Sequence, residues 1–140
     1  MVTFPAVAIL GAGSMGGAIL SGLNAPGITV DGGIRVTNRT EAKAGPLRSS
    51  GVASFATEAD PRANLAAVSG ARIVLLAVKP GMIPGLLHEI ADALEPGAIV
   101  VSVAAGVTVA TMEAALPETV AVLRAMPNTP AIVGRAVTGL

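Results

Sequence analysis

Short apolar runs rich in valine, isoleucine and leucine alternate along this chain with longer segments in which apolar residues recur at every third or fourth position. The first pattern is typical of buried strands and the second of amphipathic helices. The predicted strands are Ala6–Leu10, Gly33–Thr37, Val52–Ser54, Arg72–Val78, Ala98–Val103 and Val120–Ala125. Three predicted helices have clear bounds: Ser14–Leu23, Met82–Leu94 and Val109–Leu116. A fourth begins at Glu41 and is interrupted by Gly45 and Pro46. A fifth ends at Val68, with Asp60 as its cap and Pro61 in its first turn.

The alternation of strands and helices predicts one doubly wound α/β domain over residues 1–140, with a mainly parallel sheet, right-handed crossovers and helices on both faces. The run Arg72–Val78 is apolar without interruption after its first residue, which predicts a strand that is covered on both faces. Met126–Leu140 shows no clear element. The chain stops at Val137–Leu140 without a closing helix or a polar tail, which we interpret as a cut rather than a natural end.

The composition excludes several classes of function. Hydrophobic residues make up 52% of the chain and charged residues 13%, which excludes a disordered protein. Nine basic residues balance nine acidic ones, so no long-range field favours nucleic acid or an anionic membrane. The absence of cysteine excludes disulfides, thiolate metal sites and cysteine nucleophiles. The single histidine, His88, cannot form a zinc site alone, and we interpret it as a surface or boundary residue rather than as a catalyst.

The first ten residues lack the basic leader of a signal peptide. No uninterrupted apolar stretch approaches the ~20 residues that a membrane helix needs. We therefore expect a soluble cytoplasmic protein that has neither a membrane nor a nucleic acid as its partner.

A glycine loop with the pattern G-x-G-x-x-G joins the first predicted strand to the first predicted helix, and its residues are Gly11, Ala12, Gly13, Ser14, Met15 and Gly16. In that context Gly11 permits a tight turn, Gly13 lets a pyrophosphate approach the backbone, and Gly16 lets the helix lie close to the strand. The free N–H groups at the start of the helix bind phosphates, so a chain without net charge can hold a polyanion. A turn that merely contains glycines is the weaker interpretation, and the loop predicts a dinucleotide site.

The residues after the second predicted strand distinguish between the two nicotinamide cofactors. An NAD site usually has an acidic residue there, about 20 residues past the loop, which bonds the ribose hydroxyls. This chain has Asn38, Arg39 and Thr40 instead, which are hydrogen-bond donors for a 2′-phosphate, and Arg39 can also stack on adenine. We therefore predict NADP(H), with NAD(H) as the alternative. An ordinary turn with a helix cap is the competing interpretation for Thr40.

Three further segments lie at the carboxyl ends of predicted strands, where ligands gather in open α/β sheets. They are Ala77-Val78-Lys79-Pro80, Val103-Ala104-Ala105-Gly106-Val107 and Met126-Pro127-Asn128-Thr129-Pro130. Each segment is a weak signal alone. In this order, and after the glycine loop, they strongly resemble the pyrroline-5-carboxylate reductase family, which catalyses the last step of proline biosynthesis, and the resemblance extends over essentially the whole chain.

The resemblance implies a cofactor site along the carboxyl edge of the sheet, with the pyrophosphate on the glycine loop, the adenosine-side phosphate after the second strand and the nicotinamide at the later strand ends. The residues that it assigns to the cofactor beyond the loop are Asn38, Arg39, Thr40, Asn64, Ala77, Val78, Lys79, Pro80, Ala104 and Ala105. Asn128 would face the substrate. The residue types leave other interpretations open: a solvated strand end for Lys79, an exposed polar helix residue for Asn64, and a turn residue for Asn128.

For the reaction, the resemblance implies hydride transfer from NADPH to the imine carbon of 1-pyrroline-5-carboxylate, a cyclic imino acid, which gives L-proline. Members of the family continue into a helical second half that builds a dimer and carries most substrate contacts. That half lies outside these 140 residues, so we expect them to bind the cofactor without appreciable turnover. We expect the full-length protein to be an oligomer built on dimers, and we name no catalytic acid in this chain.

Two rival interpretations remain at this stage. A β-hydroxyacid dehydrogenase shares the Gly-x-Met-Gly ending of the loop, but that family typically has Asp-x-Pro-Val-Ser-Gly after the sheet, where this chain has Met-Pro-Asn-Thr-Pro. A non-catalytic NADP-binding module belongs to a different class and would bind NADPH without reducing the imine.

Overall fold

The computed structural model describes residues 2–11, 14–48, 52–103 and 107–125. Its strands are β1 (Val2–Phe4), β2 (Val7–Leu10), β3 (Ile28–Val30), β4 (Ile34–Asn38), β5 (Ala53–Ala56), β6 (Ile73–Leu76), β7 (Ile99–Ser102) and β8 (Ala121–Arg124). Its helices are α1 (Ser14–Leu23), α2 (Glu41–Arg48), α3 (Ala63–Val68), α4 (Ile83–Ile90) and α5 (Val109–Ala115), and 3-10 turns at Pro80–Met82 and Ala91–Ala93 flank α4.

Six of the strands form one parallel sheet in the order β5-β4-β2-β6-β7-β8. From β2 the chain proceeds outward through β4 to β5, and it then returns to the other side of β2 for β6, β7 and β8. The direction of the winding therefore reverses between β2 and β6, and open sheets of this type bind ligands at the carboxyl ends of the strands that flank such a reversal. The predicted doubly wound α/β class is confirmed.

Two apolar layers cover the sheet, one on each face. The first contains buried side chains of α3, α4 and α5 together with Val74, Leu76 and Val100. The second contains Leu20 of α1 and side chains of β2 and β4. Every residue of β2 is buried, because its side chains alternate between the two layers. The loop that follows β2 is therefore attached to a strand that is packed on both faces.

The small sheet of β1 and β3 was not predicted. Its strands pair in parallel, have three residues each, and are separate from the main sheet. Three residues are too few to show a period of two, so an apolar pattern cannot reveal them. Two observed strands differ in their bounds from the predicted ones. The strand predicted over Val52–Ser54 is observed at Ala53–Ala56, and the strand predicted over Arg72–Val78 has only four residues, in which buried and half-buried side chains alternate.

Three predicted helices differ in detail. The helix that Gly45 and Pro46 were expected to interrupt is continuous, and contacts with β5 hold it: the Ser54 hydroxyl donates to the Ala44 carbonyl at 2.8 Å. The segment after Asp60 becomes helical only at Ala63, because the Asp60 carboxylate accepts from the Arg62 N–H at 2.9 Å in a turn before the helix. The predicted helix Met82–Leu94 is α only over Ile83–Ile90, with a 3-10 turn at each end.

Among the helices in the described ranges, none is both long and apolar enough to cross a bilayer.

Candidate functional site

The parallel register places the carboxyl ends of four strands side by side. Leu10 at the end of β2 lies opposite Thr37 of β4 and Leu76 of β6, and Leu76 lies opposite Ser102 of β7. The residues that follow these strands must therefore share one edge of the sheet. The edge brings together the first residue of the glycine loop, the segment 38–40, the segment 77–80 and Val103.

Gly11 makes the turn that leaves β2. Its φ of +86° lies in the region that side chains disfavour, and its N–H donates to the Thr37 carbonyl at 2.9 Å. A Cβ at this position would lie 2.6 Å from a methyl carbon of Val78. Glycine is therefore required both by the backbone conformation and by the closeness of the segment after β6.

Gly16 allows α1 to approach that turn. A Cβ on Gly16 would lie 2.8 Å from the Gly11 carbonyl oxygen and 3.1 Å from the Cβ of Ala77, whereas a Cβ on the neighbouring Gly17 would have no atom within 4 Å. The close approach is thus specific to the last glycine of the motif, as the sequence predicted. Ser14 and Met15 begin α1, and Ala12 and Gly13 lie outside the described residues.

The polar segment at the end of β4 contains a buried donor without an acceptor among the described residues. Asn38 is only 4% exposed, and within the described part of the chain its side-chain Nδ2 has no hydrogen-bond partner. Such an orphaned donor costs about 1–3 kcal/mol, so the site is suited to a ligand that brings an acceptor. Arg39 is exposed beside it, and Thr40 caps α2 through its backbone carbonyl, which accepts from the N–H groups of Lys43 and Ala44.

The N-terminus of α2 holds a carboxylate that sequence reasoning missed. The Glu41 N–H donates to Oε1 of Glu58 at 3.0 Å. Glu58 lies just beyond β5, where its own N–H donates to the Arg39 carbonyl at 3.1 Å, and the preceding Thr57 N–H donates to the Asn38 carbonyl at 2.8 Å. No local pattern points to Glu58, because its partner is 17 positions away in the sequence.

The Glu41 carboxylate itself is engaged by Arg48 at the other end of α2. The Arg48 guanidinium donates to both carboxylate oxygens, and its Nε donates to the Ser54 carbonyl at 2.9 Å. The hydrogen bond from Arg48 and its positive charge lower the pKa of Glu41, and the same contact raises the pKa of Arg48. Glu41 is therefore held as a carboxylate on α2, directed to Arg48.

Asn64 joins three elements. Its Oδ1 accepts from the Thr37 hydroxyl at 2.7 Å, and its Nδ2 donates to a carboxylate oxygen of Glu89 on α4 at 3.3 Å. Thr37 is the residue whose carbonyl holds Gly11. Asn64 thus lies at the edge next to β4, and its half-buried amide links β4, α3 and α4. Its predicted contact with an adenosine group stays a prediction.

The segment after β6 presents backbone and small or apolar side chains. The Ala77 N–H donates to the Leu10 carbonyl at 2.9 Å, which fixes this segment beside the glycine loop. Ala77 and Val78 are half-buried, whereas Lys79 and Pro80 are exposed, and Pro80 opens a 3-10 turn. The Val103 N–H donates to the Leu76 carbonyl at 3.1 Å, so that Val103 follows along the same edge.

Three further predicted site residues, Ala104, Ala105 and Asn128, also lie outside the described residues. His88 is exposed on α4, in agreement with its interpretation as a surface residue. The described ranges contain no group of three or more histidine, aspartate or glutamate residues that could hold a metal ion.

Residues 6–106 match the model of a protein family described as NADP oxidoreductase, coenzyme F420-dependent. The chain is 34% identical to the pyrroline-5-carboxylate reductase of Pseudomonas aeruginosa and 37% identical to that of Escherichia coli. These alignments cover 97% and 96% of this chain and 48% of each relative, so the chain spans about half the length of the curated relatives it matches.

A solved structure of a pyrroline-5-carboxylate reductase from Coxiella burnetii matches with a TM-score of 0.82 and 35% identity, covering 95% of this chain and 47% of that protein. The resemblance that the four motifs indicate is therefore confirmed, in sequence and in fold.

Proposed function

This chain belongs to the family of NADP oxidoreductases described as coenzyme F420-dependent, and from that premise we propose that it is the NADP(H)-binding half of a pyrroline-5-carboxylate reductase. The proposal gives the whole protein the activity that its relatives' names state, the reduction of pyrroline-5-carboxylate. We propose that the product is L-proline. In this proposal, residues 1–140 form the cofactor domain, and a helical segment beyond them supplies the dimer interface, most substrate contacts and the acid that protonates the imine nitrogen.

The observation that carries the choice of NADP(H) is the orphaned amide of Asn38. Asn38, whose buried Nδ2 has no hydrogen-bond partner among the described residues, immediately precedes the exposed Arg39 at the strand end where an NAD-binding chain usually has a carboxylate. A 2′-phosphate would satisfy the amide and form a charge-assisted hydrogen bond with the arginine. Glu41, the nearest carboxylate in sequence, is engaged by Arg48 instead.

We assign the remaining cofactor contacts from the positions of the residues along the carboxyl edge of the sheet. The glycine loop, residues 11–16, holds the pyrophosphate, and the close packing at Gly11 and Gly16 supports that assignment. The adenosine side belongs to Asn38, Arg39, Thr40 and Asn64. The nicotinamide side belongs to Ala77, Val78, Lys79, Pro80, Ala104 and Ala105, and Asn128 faces the substrate.

When bound, NADPH supplies the hydride that reduces the imine carbon. The chain's own residues bind and orient it. The hydrogen bond from Ala77 to Leu10 keeps the segment 77–80 beside the glycine loop, so the nicotinamide and the pyrophosphate would contact neighbouring parts of one edge. Fixed placement of two reactants is itself a large contribution to the rate, and a protonated imine is already electrophilic, so this half needs no nucleophile of its own. We place this activity in the cytoplasm, in an oligomer built on dimers.

The NADP(H) assignment is tested by Arg39→Asp, which places a carboxylate where a 2′-phosphate would bind. We expect the affinity for NADPH to fall by roughly 10- to 100-fold while the affinity for NADH changes little, since a charge-assisted hydrogen bond is replaced by repulsion. Arg72→Asp is the control, because Arg72 is also exposed but precedes β6 at the opposite edge of the sheet. An unchanged ratio of NADPH to NADH affinity in Arg39→Asp contradicts the assignment.

The proposal that these 140 residues bind the cofactor, while a further segment carries the substrate site, is tested on the purified 140 residues. We expect them to bind NADPH in a fluorescence titration and to form no appreciable proline when 1-pyrroline-5-carboxylate is added. Clear proline formation by these residues alone would overturn the assignment of the substrate site to a further segment.

A further inference from the structure

The carboxylate of Glu58 occupies the N-terminus of α2, within the region to which we assign the 2′-phosphate. The Glu41 N–H donates to it at 3.0 Å. The partial positive charge at the start of a helix attracts any nearby anion. A negative side chain from another strand is therefore already bound where an anionic group of a ligand would gain the same interaction.

The backbone around Glu58 fixes its position relative to the predicted phosphate ligands. Its N–H donates to the carbonyl of Arg39, and the preceding N–H of Thr57 donates to the carbonyl of Asn38. The strand end that carries Asn38 and Arg39 and the strand end that carries Glu58 are thus hydrogen-bonded neighbours. Asn38, whose buried Nδ2 has no hydrogen-bond partner within the described ranges, is thus held through its backbone carbonyl by the residue that precedes Glu58.

We infer that Glu58 is a specificity-determining residue that competes with the 2′-phosphate for the N-terminus of α2 and so weakens the preference for NADP(H) over NAD(H). This inference rests on the proposed function. A phosphate carries more negative charge than a carboxylate and has three acceptor oxygens, so it displaces Glu58 when Arg39 and Asn38 bind it as well. NADH has no 2′-phosphate and leaves Glu58 in place.

Glu58→Gln tests the inference because glutamine has the same length and keeps an oxygen that can accept from the Glu41 N–H, while it removes the charge. We expect the affinity of the 140-residue chain for NADPH to rise roughly 3- to 10-fold, with no change for NADH, since the effect of one charge at a helix terminus is of that order. The fragment 2′,5′-ADP should show the same gain as NADPH. The gain should shrink in high salt, because the charges are exposed to solvent.

Two controls accompany this variant. Glu118→Gln removes an exposed carboxylate that precedes β8, far along the chain from the site, and is expected to alter neither affinity. Glu58→Asp retains the charge and is expected to keep a ratio of NADPH to NADH affinity close to that of the wild type. A thermal unfolding curve of each variant reports whether the helix cap has been kept.

Each alternative role of Glu58 gives a different result and overturns the inference. Weaker binding of NADH in Glu58→Gln identifies Glu58 as an acceptor for the ribose hydroxyls. Equal changes for both nucleotides, or no change for either, identify it as a purely structural cap. If the wild-type chain binds NADH but not NADPH, or binds neither nucleotide, the proposed function itself fails. If the wild type prefers NADPH and Glu58→Gln leaves the ratio of NADPH to NADH affinity unchanged, only the inference about Glu58 fails.

Discussion

The two sides of the carboxyl edge differ in chemistry although they belong to one parallel sheet. On the β4 side, residues 38–40, 57–58 and 64, polar side chains bond across elements: Thr37 to Asn64, Asn64 to Glu89, and the start of α2 to Glu58. On the β6 side, residues 77–80 and 103, backbone hydrogen bonds join Ala77 to Leu10 and Val103 to Leu76. The exposed large apolar side chains of the described ranges, Met82 and Leu123, also lie in this half of the molecule.

This difference indicates two ways of recognising one elongated ligand. Side-chain donors and acceptors at fixed positions discriminate between groups of different charge, as a 2′-phosphate and a 2′-hydroxyl require. Small side chains and backbone groups can set how closely a nicotinamide ring approaches the sheet, which positions the ring relative to the substrate that it reduces. Under the proposed function, the β4 side selects the cofactor, and the β6 side positions it.

The largest effect is expected at the seam between the two sides, where Gly16 lies between Gly11 and Ala77. Gly16→Val should destabilise the fold by about 2–3 kcal/mol, because its side chain would overlap the Gly11 carbonyl and Ala77 and force α1 away from the sheet. Gly17→Ala on the same helix is the control and should instead stabilise by about 0.5–1 kcal/mol, because alanine favours a helix over glycine and the added methyl group has open space beyond the helix. Urea unfolding measures both. Equal effects of the two substitutions would show that the seam is not tightly packed.

The seam was predictable from the sequence, whereas the network on the β4 side was not. The spacing of the glycines between an apolar run and an amphipathic helix is a local pattern, and so are the strand ends at residues 77–80. Asn64 was placed at the site only through a resemblance, and its partners are 27 and 25 positions away in the sequence. Glu58 was missed for the same reason, since a hydrogen bond between distant segments exists only once the sheet has formed.

A smaller effect is expected from within that network. Thr37→Val keeps the shape of the side chain but removes the hydroxyl that donates to Asn64, and should cost about 1–2 kcal/mol of stability, because the amide oxygen loses a part-buried partner. A double-mutant cycle with Asn64→Ala should give a coupling energy of about 0.5–1.5 kcal/mol. The same cycle with Glu118→Gln, a distant exposed residue, should be additive. If the changes in unfolding free energy were additive in both cycles, Thr37 and Asn64 would not be coupled, and the polar side chains on the β4 side would act independently.

The smallest effect is expected from the exposed pair Glu41 and Arg48, which connects the two ends of α2 on the β4 side. The pKa of Glu41 is lower in the folded chain than its ordinary value of 4.5, so the pair stabilises the fold fully above pH 4.5 and loses its effect as the pH falls through the lowered pKa. The difference in unfolding free energy between the wild type and Glu41→Gln should therefore be small at pH 7, vanish in strong acid and shrink in 1 M salt, because solvent screens both side chains. A difference that is the same at pH 7 and in strong acid would show that Glu41 acts through packing rather than through its charge.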